Sequence, residues 1–246
     1  MAWQWFHRLG SPRWFYENTE RWIFWLALIS LILIGTGTIW GLFFVPPDFK
    51  QGNSYRILYI HVPSSVLAMV GYYVMAIAGA IGLIWRIKLS FMVMKCAAPI
   101  GATLTFLSLT TGWLWGKPTW GALFVWDARV VFTAILFLIY IATIVLQGAY
   151  RDQDTADKAT AILSLVGTVN IPLIYKSVDW WNTLHQGHTI KFTEKSTIDP
   201  SMIYPLLVMI IGFYIAYAWI LMAHTRVEIL HREKKTKWVK ELIEEV

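Results

Sequence analysis

Four tryptophans, two glycines, a proline and a lone carboxylate crowd the stretch Trp113-Leu-Trp115-Gly-Lys-Pro-Thr-Trp120-Gly-Ala-Leu-Phe-Val-Trp126-Asp127. With 15 tryptophans in 246 residues, about one is expected in a stretch of this length. Indole rings are ordinary anchors at a membrane–water boundary, but an anchor needs no interleaved Gly, Pro and Asp. Gly and Pro interrupt regular helix, so the stretch is expected to break from helical structure and spread its rings as a flat aromatic surface. Such a surface suits a large planar ligand.

Two imidazoles are the other candidates for chemistry. His61 stands in Tyr59-Ile-His61-Val-Pro63 and is expected at the mouth of a helix, with Pro63 suited to the first turn. His185 follows Trp180-Trp181-Asn-Thr-Leu in a third polar segment. Neutral imidazole is the commonest metal ligand, and haem iron accepts two axial donors. Met and Cys are absent from these segments, so a bis-histidine haem site is the sharper reading. His61 and His185 would take the two axial positions, with Trp115, Trp120, Phe124, Trp126 and Asp127 forming the platform segment. Arg56 and Arg129 are candidates to neutralise carboxylates such as a porphyrin's propionates. Each residue also has a plainer use. A boundary histidine is commonly just hydrogen-bonded, and Asp127 suits the N-cap of the following helix. His188, close behind His185, is either its neighbour or a rival ligand.

These residues need a scaffold, and composition says which. The chain is 57% hydrophobic with a mean hydropathy of +0.52, far above a soluble domain. Six apolar runs approach or exceed the length needed to cross a bilayer: residues 22–45, 60–85, 96–113, 128–147, 159–175 and 204–223. The fifth is the shortest and carries Asn170 and Pro172. The expected fold is an all-α integral membrane protein of six transmembrane helices, since a β-barrel would need short alternating strands. Residues 1–21 form an N-terminal segment too polar and aromatic for a cleavable signal core, 22–224 the membrane domain and 225–246 an amphipathic tail. That tail is expected either to dock a cytoplasmic partner or to lie on lipid headgroups. The net charge of +6 is accounted for by membrane lipid and calls for no nucleic acid. The single cysteine, Cys96, excludes an internal disulfide and offers no zinc or iron–sulfur set. No glycine-rich phosphate loop is present, so ATP hydrolysis is not expected of this chain.

The segments from Gln51-Gly-Asn-Ser-Tyr-Arg56 to His61-Val-Pro63, Trp115-Gly-Lys-Pro-Thr-Trp120-Gly, Val125-Trp126-Asp127-Ala-Arg129 and Trp180-Trp181-Asn-Thr-Leu-His185-Gln-Gly187 together resemble the tryptophan-rich WWD-domain family of haem-handling membrane proteins of cytochrome c maturation, of the haem exporter protein C type. The likeness runs over almost the whole chain. It implies a haem-delivery component more than an enzyme: one that binds haem b at the outer face through His61 and His185 and presents it to a membrane-tethered haem chaperone. A small single-span protein and the membrane and ATPase subunits of an ATP-binding cassette transporter are the implied partners. One departure stands out. Where the family pattern has its middle tryptophan, this chain has Phe124, which keeps an aromatic face but loses the indole donor.

Two rival readings are weaker. A cytochrome b-like electron-transfer subunit would place facing histidines at mid-depth between helices, which these spans do not offer. A glycolipid enzyme acting through Asp127 would need a second carboxylate, for which only Asp48 and Asp179 are candidates. Six spans put both termini on one side. With that side cytoplasmic, 14 Lys and Arg fall inside against 7 outside, as the positive-inside rule requires. The expected home is a bacterial inner membrane, ahead of a mitochondrial one. A reporter fused after Val246 should therefore be active only in the cytoplasm; activity on the outer side overturns this topology.

Overall fold

Ser11 opens the first helix of the computed structural model, which describes residues 10–185 and 198–244. Its hydroxyl accepts from the Trp14 amide, and Pro12, at the first helical position, gives up an N–H that would have no partner there. Helix α1 (Pro12–Ile39) ends in a π-helical turn (Trp40–Phe44). A short 3-10 helix (Asn53–Ile57) leads into α2 (Leu58–Trp85), followed by α3 (Lys88–Trp120) and α4 (Ala128–Ala149). Then come α5 (Gln153–Gly167), α6 (Asn170–Trp180), α7 (Pro200–Glu233) and α8 (Lys237–Glu244). Six helical units are long and apolar enough to cross a membrane, and no strand occurs among the described residues. The chain is an all-α membrane protein.

Helix α2 packs chiefly along α3, α1 along α7, and α4 against α3, α5 and α6. Lipid tails are as apolar as leucine, so helices in a bilayer associate through close fit rather than a hydrophobic drive. The core shows this. Ala68, Ala76, Ala97, Ala98 and Ala102 surround the buried rings of Tyr72 and Tyr140. Gly101 and Gly167 allow the close approach, since a Cβ there would lie 2.1 Å from Tyr140 Cζ and 2.0 Å from the Tyr72 hydroxyl oxygen. The Tyr140 hydroxyl reaches across to donate to the Ala68 carbonyl at 2.9 Å.

Three local expectations are corrected. The tryptophan stretch does not break at Pro118; α3 carries on to Trp120. Pro118 removes a single N–H near the end of the helix, and the Thr119 hydroxyl donates to the Trp115 carbonyl at 2.7 Å. Gly121, at φ 77°, supplies the left-handed residue that ends the helix. The second helix begins earlier than Pro63 implied, because the 3-10 turn feeds straight into it, so Pro63 lies past the first turn and His61 within it. The fifth span is two helices. Pro172 cannot donate to the Thr168 carbonyl, which instead takes the tighter bond from the Ile171 amide at 3.1 Å. The Asn170 side chain then donates to the Phe132 carbonyl of α4 at 2.9 Å and holds the break.

The bundle end that bears the chain termini is tied by charge. Arg232 of α7 grips Asp157 of α5 through two nitrogens at 2.6 and 3.0 Å and reaches Glu228 at 2.6 Å. Lys95 of α3 meets the same Glu228 at 2.7 Å, and Gln147 of α4 donates to Asp157 at 2.7 Å. The tail, expected to meet a partner or lipid, folds back on the chain: Val239 is fully buried, and Trp238 packs on Tyr16 and donates to Glu233. Replacing Arg232 by Gln leaves Asp157 without its cation in a largely buried place, while Glu228 keeps Lys95. It should cost about 3 kcal/mol, read as a clear fall in melting temperature in detergent, while Arg13→Gln in an exposed pair should leave it unchanged. Equal effects of the two would deny the lattice its role.

Candidate functional site

The tryptophan end of the bundle carries two histidine centres, each built on α3. Helix geometry of about 100° per residue brings Ser108, Thr111, Gly112 and Trp115 to one face. His61 of α2 lies against that face. Its Nδ1 is 3.0 Å from the Ser108 carbonyl and 3.1 Å from the Thr111 hydroxyl oxygen. A carbonyl can only accept, and the Thr111 hydroxyl already gives its proton to the Leu107 carbonyl at 2.6 Å. Both partners are therefore acceptors, so Nδ1 carries the proton and the neutral ring keeps its lone pair on Nε2. Gly112 makes room, since a Cβ there would come within 3.0 Å of His61 Cε1. The Trp115 ring stands edge-on to the imidazole at 5.7 Å.

The second centre surrounds Asp127, which caps α4 by accepting from the Arg129 amide at 3.0 Å. The same carboxylate accepts from the Thr183 hydroxyl and from the Leu184 amide at 2.9 Å, pinning the segment that follows α6. His185 is thereby brought to Trp120, with ring centroids 5.1 Å apart. Its buried Nδ1 has Asp127 Oδ1 at 3.5 Å, longer than a hydrogen bond but on the acceptor-only side of the ring. Burial acts to raise the Asp127 carboxyl, yet the bonds from Thr183, Leu184 and Arg129 prevail and hold its pKa below the ordinary value. Burial first, then the charge of Arg129, push His185 down to about 4 against the pull of Asp127. At neutral pH this imidazole is uncharged and able to donate a lone pair.

His61 and His185 are within electrostatic reach of one another, and Arg129 bears on both. The Arg129 Nε is buried without a partner among the described residues. Arg56 is differently engaged. Its guanidinium donates to the carbonyls of Gly41, Leu42 and Val45, groups that the end of α1 leaves open. The aromatic residues do not form one flat sheet. Trp115 faces His61, Trp120 faces His185, and Trp113, Phe124 and Trp126 make an edge-to-face chain at 6.0 and 5.0 Å. Trp126 ends that chain 83% exposed. His188 lies outside the described residues.

Sequence reasoning missed Ser108, Thr111, Thr183 and Gln51. Hydroxyls inside an apolar helix were the available signal, but they bond backbone as readily as anything else. No set of three or more His, Cys, Asp or Glu suited to a metal ion occurs among the described residues. Two neutral imidazoles, His61 with its proton held on Nδ1 by acceptors, suit a metal that brings further ligands of its own, as haem iron does.

Comparison with known proteins gives the family. The family described as Heme exporter protein C matches residues 5–240. The "Heme exporter protein C" of Escherichia coli (strain K12) is 44% identical over 241 residues, 98% of this chain and 97% of that one. The protein of the same name from Haemophilus influenzae is 43% identical over 240 residues, covering 98% of both chains. That of Bradyrhizobium diazoefficiens is 42% identical over 228 residues, 93% of this chain and 86% of its own. With its fold and nearly its whole length accounted for, the chain belongs to the Heme exporter protein C family.

Proposed function

We propose that this chain binds haem b between His61 and His185 at the periplasmic face of a bacterial inner membrane, with both termini cytoplasmic, and passes it to a membrane-tethered haem chaperone during cytochrome c maturation. One observation carries the reading. Two neutral imidazoles come from distant parts of the chain. His61 gives its Nδ1 proton to acceptors, which leaves its Nε2 lone pair for iron. His185 stands with Nδ1 3.5 Å from the Asp127 carboxylate, which favours Nε2 as its donor too. The name borne by the relatives supplies the cargo.

In this reading the chain's own groups divide the work. Ser108 and Thr111 fix the tautomer of His61, and Asp127 holds the segment that carries His185. Arg129 is the cation offered to a propionate. Arg56, occupied with the end of α1, supports that end of the site. Trp120 flanks His185, and the exposed chain Trp113–Phe124–Trp126 covers a porphyrin edge without enclosing it. Phe124 needs no indole donor here, because stacking requires only the ring face. Ligands at the end of the bundle, outside its packed centre, hold cargo that a partner can still reach. An ATP-binding cassette transporter with its membrane and ATPase subunits, and a small single-span protein, complete the assembly.

Purified in detergent, the protein should show a haem absorption band that His61→Ala and His185→Ala each reduce by about ten-fold or more, with partial recovery on adding imidazole. Full occupancy in both variants refutes axial ligation. Asp127→Asn removes the charge and leaves one acceptor oxygen, enough for the Arg129 cap or for Thr183 and Leu184 but not both, and should weaken haem retention by about ten-fold. If Asn behaves as wild type while Ala unfolds residues 181–185 to protease, Asp127 serves only as a cap.

A further inference from the structure

The turn before the second helix is built in more detail than a connection requires. Asp48 accepts from the amides of Lys50 and Gln51 at 2.9 and 2.7 Å, and the backbones of Asp48 and Gly52 exchange bonds at 3.1 and 2.9 Å. Gly52 adopts φ 57° and ψ −133°, a conformation reserved for glycine. The Ser54 hydroxyl donates to the Gln51 carbonyl at 2.6 Å, and the Tyr55 hydroxyl to that of Pro46 at 3.1 Å. Every one of these bonds fixes the backbone on either side of Gln51. The Gln51 side chain leaves the turn and accepts from the Trp115 indole N–H at 2.7 Å. That indole is the ring standing edge-on to His61.

We infer that Gln51 is a positioning residue for the His61 side of the haem site, acting through the Trp115 indole that sets the plane of the His61 ring. This rests on the haem reading above. His61 is held at Nδ1 by Ser108 and Thr111, but a bond at one nitrogen leaves the ring free to tilt about it. Trp115 stands edge-on against the ring and limits that tilt, in the space that Gly112 leaves beside Cε1. An indole partly buried at a membrane boundary seeks a partner for its N–H and turns to find one. Gln51 provides that partner at a fixed place, so the rigid turn determines the rotamer of Trp115 and, through it, the angle at which Nε2 meets iron.

The test is electron paramagnetic resonance of the ferric haem complex, whose g-values report the relative orientation of two axial imidazole planes, together with the rate of haem loss. Gln51→Leu should shift the largest g-value and speed haem loss about five-fold, the worth of one hydrogen bond. Gln51→Glu, which keeps the acceptor, should match the wild type. Trp115→Phe leaves the turn untouched and should reproduce Gln51→Leu, and the double variant should be no worse than either. Unchanged g-values in Gln51→Leu and Trp115→Phe overturn the inference, as does a loss in Gln51→Glu equal to that in Gln51→Leu. His61→Ala, measured alongside, separates the two levels. If it keeps its haem the ligand assignment is wrong; if it loses haem while both Gln51 variants do not, only the role of Gln51 falls.

Discussion

A polar group inside a bilayer has no water to turn to, so each one must find its partner within the chain or cost several kcal/mol, by rough estimate. That constraint shapes most of what distinguishes this protein from a plain bundle of apolar helices. The break in the fifth span is held because Asn170 can reach the Phe132 carbonyl. The open carbonyls at the end of α1 are met by Arg56. The same accounting decides His61: placed against carbonyl and hydroxyl oxygens that only accept, its ring commits the proton to Nδ1. A requirement of solvation thus becomes a choice of tautomer, and the tautomer sets which nitrogen is available for a metal.

The two ends of the molecule resolve the constraint in opposite ways. At the terminus-bearing end, Arg232, Asp157, Glu228 and Lys95 satisfy one another directly and join three helices. Such a lattice is strong only while complete, because any member left alone becomes a buried charge. At the tryptophan end the accounts are left partly open. Arg129 Nε and His185 Nδ1 lack hydrogen-bond partners among the described residues, and the tryptophan-to-tryptophan chain ends exposed.

Much of this was legible from residue order. Hydrophobic runs announce six spans because crossing lipid demands length and apolarity, both of which are local properties. The odd grouping of Trp113 to Asp127 pointed to residues that the fold brings together with the two histidines, Trp115 beside His61 and Trp120 beside His185. Helix boundaries were harder. Pro63 and Pro118 read as edges, yet each removes only one N–H, and neighbouring bonds absorbed the loss. The capping role of Asp127 was foreseen from its place before an apolar run; its grip on Thr183 and Leu184 was not, since those residues lie more than fifty positions away.

Sequence alone determined the membrane class, the number of spans, the aromatic-rich end and the candidate ligands, since periodicity, length and residue type carry these without reference to distant neighbours. Only the folded chain decided that Trp115 serves His61 while Trp120 serves His185, that Arg56 is spent on α1, and that Gln51 reaches into the site. Those outcomes depend on which faces of α2, α3 and α4 come into contact, and close packing among small residues settles that in three dimensions. Hydrogen-bond direction follows the same logic: an imidazole's proton goes where its neighbours can accept it, and neighbours are a property of the fold.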